Sequence, residues 1–261
     1  MQTIRRLILP LLLAASLLTL PPLATSSPAA EAEVGYLALG DSVPSGTDLI
    51  DGVGYPQRLG QLVADASGLP IRLDLRARAG QRSEDVLASQ LDDLRAAGPR
   101  LVTLTVGAND FLVPAMQCAA ATVDNVPETR CSMSSLLRTA PAFERNYRAI
   151  LRRLVAETDA PIAVTTYYNP FPRGSRCAPS MTDASVKLLN QTITDIAAAW
   201  PDRVAVVDLA PLFKGHEGEA PAGWFSASPL HLACTDIHPS ADGHEAIAQA
   251  LWSALGPRLG L

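Results

Sequence analysis

The sequence predicts an α/β domain in which a five-stranded parallel sheet forms the middle layer of a three-layer α/β/α sandwich. Short runs of consecutive aliphatic residues, which suit strands buried on both faces, alternate along the chain with longer amphipathic segments. Of the 261 residues, 48% are apolar and 18% are charged, which is enough apolar material for one sizeable core. This alternation favours parallel pairing with right-handed crossovers, which place helices on both faces of the sheet.

Each predicted strand is a short aliphatic run that ends in turn residues. The strands are predicted at residues 35–39, 71–75, 101–106, 162–167 and 204–207. In the flavodoxin-like strand order 2-1-3-4-5, the second and third strands both flank the first. Sheets of this kind bind ligands at the carboxyl edge, beside the strand at which the order reverses.

The predicted helices lie between these strands. They are expected at residues 55–67, 83–97, 141–158, 182–199 and 240–254. In the second helix, Ser83 stands at an N-cap position, and three leucines that follow it share one face. The last helix begins at Ser240, directly after Pro239.

The amino terminus has the pattern of a secretory signal peptide. Two arginines precede an apolar stretch over residues 7–20, and small residues then lead to an A-x-A site at residues 30–32. An uncleaved anchor helix is the alternative, but the apolar run is short for a bilayer span and contains Pro10. We therefore expect a signal peptide at residues 1–32, a single domain over residues 33–261, and a secreted protein without stable membrane insertion.

The charge distribution excludes a nucleic-acid-binding protein. The formal net charge is −5, and the basic residues are scattered rather than gathered into the patch that a nucleic-acid partner requires. No spacing of histidines and cysteines matches a zinc finger or an H-E-x-x-H helix. We expect no nucleic-acid partner, no metal and no cofactor, and we expect a monomer.

Four cysteines follow the leader, and an even number in an exported protein indicates two disulfides. Three pairings are possible. We favour Cys118–Cys131, which closes one loop, and Cys177–Cys234, which joins two. A zinc site is the alternative, but no C-x-x-C spacing supports it. All four cysteines lie in long connections that follow strands, at residues 111–140, 168–181 and 209–238, so we expect stapled loops around a cleft.

Reactive and turn-forming residues follow the predicted strands at the same edge of the sheet. Gly40, Asp41 and Ser42 end the first strand, Gly80 follows the second, and Asn109 follows the third. The assumed strand order brings these positions together. A serine there can be a nucleophile if a base lies within reach. Backbone N–H groups of Ser42 and Gly80 and the side-chain amide of Asn109 can stabilise an oxyanion.

His238 is the candidate base. The chain has four histidines, and His238 stands out because Pro239 and a helix start follow it and Asp236 lies nearby. A neutral histidine next to a serine can accept the hydroxyl proton, and a third group usually orients the ring.

Four sequence blocks that carry these residues, in this order, resemble the SGNH hydrolase superfamily, also called GDSL esterases and lipases. The matching segments are residues 40–42, Gly80, residues 107–110 and residues 236–239. The resemblance covers the mature chain, and the leader and cysteines further resemble secreted actinobacterial members. It implies a nucleophile at Ser42, a base at His238, and an oxyanion hole formed by Ser42, Gly80 and Asn109.

The third member of the triad departs from the family pattern. The family commonly places the acid three residues before the histidine, where this chain has Thr235, whereas Asp236 lies two before it. Asp236 is our candidate orienting acid, and a main-chain carbonyl is the alternative. Asp41 is expected to stabilise the nucleophile turn by local hydrogen bonds. Asp110 is expected to brace the turn after the third strand.

The expected reaction is ester hydrolysis through a covalent acyl-enzyme, with a small-molecule or lipid ester as substrate. A carbohydrate acetyl esterase with the same machinery and a non-catalytic binding protein on this fold are the alternatives. Apolar and aromatic residues in the long loops could form an acyl pocket, or they could merely pack the loops. They are Phe111, Leu112, Val113, Met116, Tyr167, Tyr168, Phe171, Trp224 and Phe225.

Overall fold

All five strands pair in parallel in a computed structural model that describes residues 33–111, 133–170, 179–217, 223–226 and 238–261. The strands are β1 (Val34–Gly40), β2 (Ile71–Leu75), β3 (Leu101–Thr105), β4 (Ile162–Thr165) and β5 (Val204–Val207). Their order across the sheet is β2-β1-β3-β4-β5. The predicted sheet and its strand order are confirmed.

Helices cover both faces of this sheet. They are α1 (Tyr55–Ser67), α2 (Ser83–Ser89), α3 (Leu94–Ala97), α4 (Met133–Glu157), α5 (Pro179–Ala197), α6 (Leu209–Phe213) and α7 (Ala241–Leu259). Helix α1 packs against α7, whereas α4 packs against both α2 and α5. This is the predicted α/β/α sandwich, and residues Ala32–Leu261 form one compact unit.

The prediction of one helix over residues 83–97 is wrong, because the segment forms α2 and α3 with a break between them. At the break, the Gln90 side chain turns inward to the end of β1. Arg76 binds the carbonyl oxygens of Gln90 and Asp92, and Asp93 has a left-handed φ of +50°. At these two carbonyl oxygens, the bonds from Arg76 take the place of the backbone hydrogen bonds that a continuous helix would make.

Ser83 is not the N-cap of α2. That position belongs to Arg82, whose backbone N–H donates to the Asp85 carboxylate at 2.9 Å. Ser83 is instead the first helical residue, and its hydroxyl donates to Asp110 at 2.7 Å. At the other end of the chain, Ser240 does cap α7.

The described helices and strands also differ from the predicted bounds at several ends. Helix α4 begins before residue 141 and contains Pro141, and α7 continues beyond residue 254 to Leu259. Strand β4 stops at Thr165 rather than 167. Two residues later, the Asn190 side chain binds both the backbone N–H and the carbonyl of Tyr167, at 2.8 and 2.7 Å. Within the described residues, no helix is long and apolar enough to cross a membrane.

Candidate active site

The chain turns sharply at the carboxyl end of β1, and the turn requires glycine at position 40. Gly40 has φ +136°, and a Cβ at this position would lie 1.9 Å from the backbone oxygen of Thr105. The next residue, Asp41, donates its backbone N–H to that same oxygen at 3.1 Å. Glycine alone tolerates both this conformation and the close approach, so it permits the turn. The turn in turn places Ser42 at the edge of the sheet.

The Gln90 side chain fastens this turn from the adjoining helix. Gln90 is buried; its amide oxygen accepts the Gly40 N–H and its amide nitrogen donates to the Gly40 carbonyl, both at 2.8 Å. The role of Gln90 was not predicted from the sequence. The available signal was its position four residues from both Val86 and Leu94, on the apolar face of the predicted helix, since a buried amide requires partners.

Asp41 is a buried carboxylate with two donors. One oxygen accepts the Val43 N–H at 3.1 Å, which confirms the predicted local bond, and the other accepts the Tyr167 hydroxyl at 2.5 Å. Burial raises the pKa of Asp41 to about 6, while the hydrogen bonds from Tyr167 and Val43 oppose the shift. Burial also raises the pKa of Tyr167, so its hydroxyl stays protonated and donates.

Ser42 starts a closed loop. The residue exposes 6% of its surface. Its carbonyl accepts the Thr47 N–H at 3.2 Å and the Ser45 hydroxyl at 2.9 Å. These bonds hold residues 42–47 in a fixed arrangement, so that Asp48, which follows, has a defined position relative to Ser42.

The predicted oxyanion-hole residues Gly80 and Asn109 lie on neighbouring turns. The Asn109 amide nitrogen donates one hydrogen bond to the Gln81 carbonyl at 2.9 Å. This bond joins the end of β3 to the turn that carries Gly80. Gly80 has φ +79°, and a Cβ there would meet no atom within 4 Å. The space beside Gly80 is therefore open, in contrast to the crowded turn at Gly40.

Asp110 braces the start of α2 as well as its own turn. Its carboxylate accepts both the backbone N–H of Ser83 at 3.0 Å and the Ser83 hydroxyl at 2.7 Å. Burial raises the pKa of Asp110, against the effect of these two bonds. Both donors come from one residue of the scaffold, which supports the bracing role predicted for this side chain.

His238 contacts a carboxylate that was not predicted from the sequence. Its Nδ1 lies 2.5 Å from Oδ2 of Asp48, in the loop that begins at Ser42. The His238 carbonyl accepts the Ser226 N–H at 3.0 Å, and Phe225 forms a β-bridge with Pro239. Among the described residues, no direct hydrogen bond joins the Ser42 hydroxyl to the His238 ring. Such bonds are often long before substrate binds.

Two other described histidines have structural environments. His244 is buried; its Nδ1 accepts the Tyr55 N–H at 3.1 Å, and burial lowers its pKa to about 3. His244 is therefore neutral at ordinary pH. His216 stacks on Trp224, with ring centroids 3.7 Å apart. Of the described histidines, His238 is the one placed in contact with the nucleophile loop.

Several predicted residues lie outside the described part of the chain, so the structure does not describe their positions. They are the proposed acid Asp236 and its neighbour Thr235, His231, the four cysteines Cys118, Cys131, Cys177 and Cys234, and Leu112, Val113, Met116 and Phe171. The two disulfides and the role of Asp236 remain predictions.

Four of the five described aromatic candidates for an acyl pocket pack the interior instead, and the fifth, Trp224, is partly exposed. Phe111, Tyr167, Tyr168 and Phe225 are each at most 1% exposed. Tyr168 stacks on Phe213 with ring centroids 4.1 Å apart. For these side chains the packing alternative is the correct one.

A cavity of about 450 Å³ lies between α5 and α6. Its lining includes Asn169, Asp183, Val186, Lys187, Asn190 and Phe213, and neither Ser42 nor His238 lines it. This cavity is distinct from the predicted catalytic residues. No group of three or more metal-binding side chains was found in the part of the chain that the structure describes.

A Gly-Asp-Ser turn at the end of β1, with an asparagine amide and a histidine at the same edge of a parallel sheet, defines an SGNH-type ester hydrolase. The family model of GDSL-like lipases and acylhydrolases matches residues 38–246, so the chain belongs to this family. The resemblance inferred from the four sequence blocks is confirmed.

Solved structures of bacterial and metagenomic lipases share the fold. The lipase Lip_vut3 from a goat rumen metagenome has a TM-score of 0.66 at 22% identity, over 87% of this chain and 99% of that one. Phospholipase A1 from Streptomyces albidoflavus has a TM-score of 0.64 at 24% identity, over 85% of this chain and 100% of that one. The extracellular lipase of Streptomyces rimosus has a TM-score of 0.60 at 25% identity, over 85% of this chain and 99% of that one. No curated protein sequence matches the chain significantly.

Proposed function

We propose that this protein is an exported serine esterase that cleaves carboxylic esters through a covalent acyl-enzyme on Ser42. One observation carries the proposal: the Ser42 turn, the Asn109 amide and His238 are tied to one edge of the sheet by the bonds described above. Membership of the GDSL-like lipase/acylhydrolase family supports the same reaction class.

In the acylation step, the Ser42 oxygen attacks the ester carbonyl carbon while the hydroxyl proton passes to the His238 imidazole. The carbonyl electron pair moves to the oxygen, and a tetrahedral oxyanion forms. When the intermediate collapses, the bond to the alcohol oxygen breaks. The imidazolium protonates that oxygen, and the acyl group stays on Ser42.

Three N–H donors stabilise the oxyanion in this scheme. They are the backbone N–H groups of Ser42 and Gly80 and a side-chain N–H of Asn109. The bond from Asn109 to Gln81 fixes the orientation of the amide in advance. Donors held in place before the reaction stabilise the developing charge without further reorganisation.

Deacylation repeats the sequence with water. His238 accepts a proton from a water molecule, whose oxygen attacks the acyl carbon. The second tetrahedral intermediate then releases the carboxylic acid, and Ser42 recovers its proton from His238.

The test is covalent labelling with a fluorophosphonate probe. We expect wild-type protein to label and Ser42→Ala to lose the label completely. Labelling of His238→Ala should slow by about 10²-fold or more, because the serine loses its base. Ser89→Ala, an exposed serine on α2, is the matched control and should label like wild type. A folded wild-type protein that never labels would contradict the proposal.

The substrate class is a small hydrophobic or lipid ester. An ester series from acetate to palmitate, together with acetylated oligosaccharides, separates this class from the carbohydrate esterases. We expect turnover of simple alkyl esters. Activity confined to acetylated sugars would instead assign the same machinery to a carbohydrate acetyl esterase.

Export is the other part of the proposal, and it depends on the leader pattern of residues 1–32. Mass spectrometry of the intact protein from the culture medium should find a chain that begins near residue 33. A full-length chain retained with the cells would contradict export.

A further inference from the structure

The His238 ring is in contact with an aspartate from the opposite end of the chain. Nδ1 of His238 and Oδ2 of Asp48 are 2.5 Å apart, although 190 residues separate them in sequence. Side-chain exposure is 16% for His238 and 37% for Asp48, so the pair is partly shielded from water. A contact this short between a ring nitrogen and a carboxylate is a charge-assisted hydrogen bond whenever the nitrogen carries its proton.

We propose that Asp48 is the positioning residue for His238, and thus takes the role that the family pattern gives to an acid three residues before the histidine. The inference rests on the proposed function of His238 as the base. The corresponding family position is Thr235 in this chain, which has no carboxylate.

The loop between Ser42 and Asp48 links this contact to the proposed nucleophile. The Ser42 carbonyl accepts the Thr47 N–H at 3.2 Å and the Ser45 hydroxyl at 2.9 Å. Asp48 follows Thr47 directly, and the Leu49 N–H continues the turn by donating to the Gly46 carbonyl at 3.2 Å. One short loop therefore holds the proposed nucleophile and the partner of the proposed base.

The backbone of Asp48 supports a functional origin for the residue. Its φ is +69°, and in the described chain Asp93 is the other non-glycine residue with positive φ. Most side chains are strained in this region and glycine is not, while aspartate tolerates it better than most residues. Asp48 holds this conformation while its carboxylate contacts His238.

Two other titratable groups near the ring, both among the described residues, have different partners. Asp41 and His244 both lie within electrostatic range of His238. The Asp41 carboxylate binds Tyr167 and Val43, and His244 binds the Tyr55 N–H. A carboxylate on Nδ1 favours the tautomer that has its proton on that nitrogen. Nε2 then becomes the proton acceptor for the serine.

The experiment compares Asp48→Asn and Asp48→Gly with the loop control Asp51→Asn. Asp51 lies in the same loop and caps the Val53 N–H at 3.0 Å. We expect both Asp48 variants to lower kcat by about 10²-fold, with KM changed less than about twofold, since the residue acts on the base rather than on substrate binding. The acid limb of the kcat/KM profile should move to lower pH, and Asp51→Asn should match wild type.

Asp48→Gly separates positioning from folding. Glycine relieves the positive φ, so this variant should be at least as stable as wild type and yet lose activity. Wild-type kcat in Asp48→Gly would overturn the proposal. So would a loss of kcat confined to Asp236→Asn.

Nuclear magnetic resonance of the ring supplies a readout that does not require turnover. We expect a downfield Nδ1–H signal of His238 in wild type that disappears in Asp48→Asn and persists in Asp236→Asn. Persistence in Asp48→Asn would overturn the inference even if wild-type protein hydrolysed no ester. Absence of ester hydrolysis in wild type, with the signal lost in Asp48→Asn, would contradict the proposed function and leave the Asp48 contact supported.

Discussion

The turn that carries Ser42 and the segment that carries His238 are held in place by different means. The turn is buried and bound from three directions, by Thr105 on β3, by Gln90 after α2 and by Tyr167 after β4. The His238 side chain is held by Asp48, a partly exposed residue of a loop. The residues around the turn are therefore part of the core, and substitutions that remove their contacts should lower stability before they affect activity. Loss of the Asp48 contact should cost activity first.

Alanine substitutions at Gly40 and Gly80 should differ most in their effect on the free energy of unfolding. Gly40→Ala places a methyl group against the Thr105 oxygen and retains a disfavoured φ. We expect it to lower the free energy of unfolding by about 4 kcal/mol or more, or to prevent folding. Gly80→Ala should cost about 1–2 kcal/mol, because its φ is unfavourable but the space is open. Urea denaturation measures both, and equal losses would contradict the contrast.

His244, at the start of α7, makes this end of the site sensitive to acid. Its folded pKa of about 3 is below the ordinary value of 6.5, so the unfolded state binds more protons between these values. The stabilisation is present above pH 6.5 and is lost as pH falls, by about 1.4 kcal/mol per pH unit. Thermal melting between pH 7 and pH 4 should show this slope.

The matched variant is His244→Asn, because its amide oxygen can still accept the Tyr55 N–H. We expect a lower melting temperature at pH 7 but a flatter pH profile than that of wild type. An identical slope in the two proteins would show that other groups cause the acid sensitivity.

Removal of the Gln90 amide tests how the nucleophile turn is held. In Gln90→Leu the Gly40 N–H loses its acceptor while it stays buried. We expect a loss of about 2 kcal/mol in the free energy of unfolding. The exposed Gln61→Leu on α1 is the control and should stay within about 0.5 kcal/mol of wild type. Chemical denaturation that finds both variants equally stable would refute the role of Gln90.

Tyr167→Phe should have one of the smallest effects among these variants, and that effect should depend on pH. The folded pKa of Asp41, about 6, lies above its ordinary value of 3.8, so this group stabilises at low pH and loses that stabilisation as pH rises through 6. Without the Tyr167 hydroxyl the carboxylate loses a donor. The folded pKa therefore rises further, and the loss extends to higher pH.

We expect Tyr167→Phe to cost about 1–2 kcal/mol at pH 8 and less at pH 4, where Asp41 is protonated. Tyr36→Phe removes a buried hydroxyl that binds Thr103 at 2.9 Å, with no carboxylate involved. Its cost should be the same at both pH values. A pH-independent cost for Tyr167→Phe would contradict the account of Asp41.

The sequence by itself determined the strands and the helices that separate them, since buried aliphatic runs and amphipathic segments are local patterns. The strand order was assumed from the flavodoxin-like pattern, and the structure confirmed it. It also identified Ser42, Gly80 and Asn109 as candidates, because strand ends in a parallel sheet meet at one edge. His238 was identified by Pro239 and the helix start that follow it. The second helix was predicted wrongly because Gln90 leaves the helix to bind Gly40, a tertiary contact that overrides local helix propensity.

The partners of these candidates were decided by the tertiary structure alone. Gln90 meets Gly40 across 50 residues, Tyr167 meets Asp41 across 126, and His238 meets Asp48 across 190. Neither periodicity nor spacing reports contacts between such distant positions. The sequence favoured Asp236 as the acid near His238, a prediction that lies outside the described residues. The folded chain brings Asp48 to the ring, because its loop closes on the Ser42 carbonyl and ends beside the start of α7.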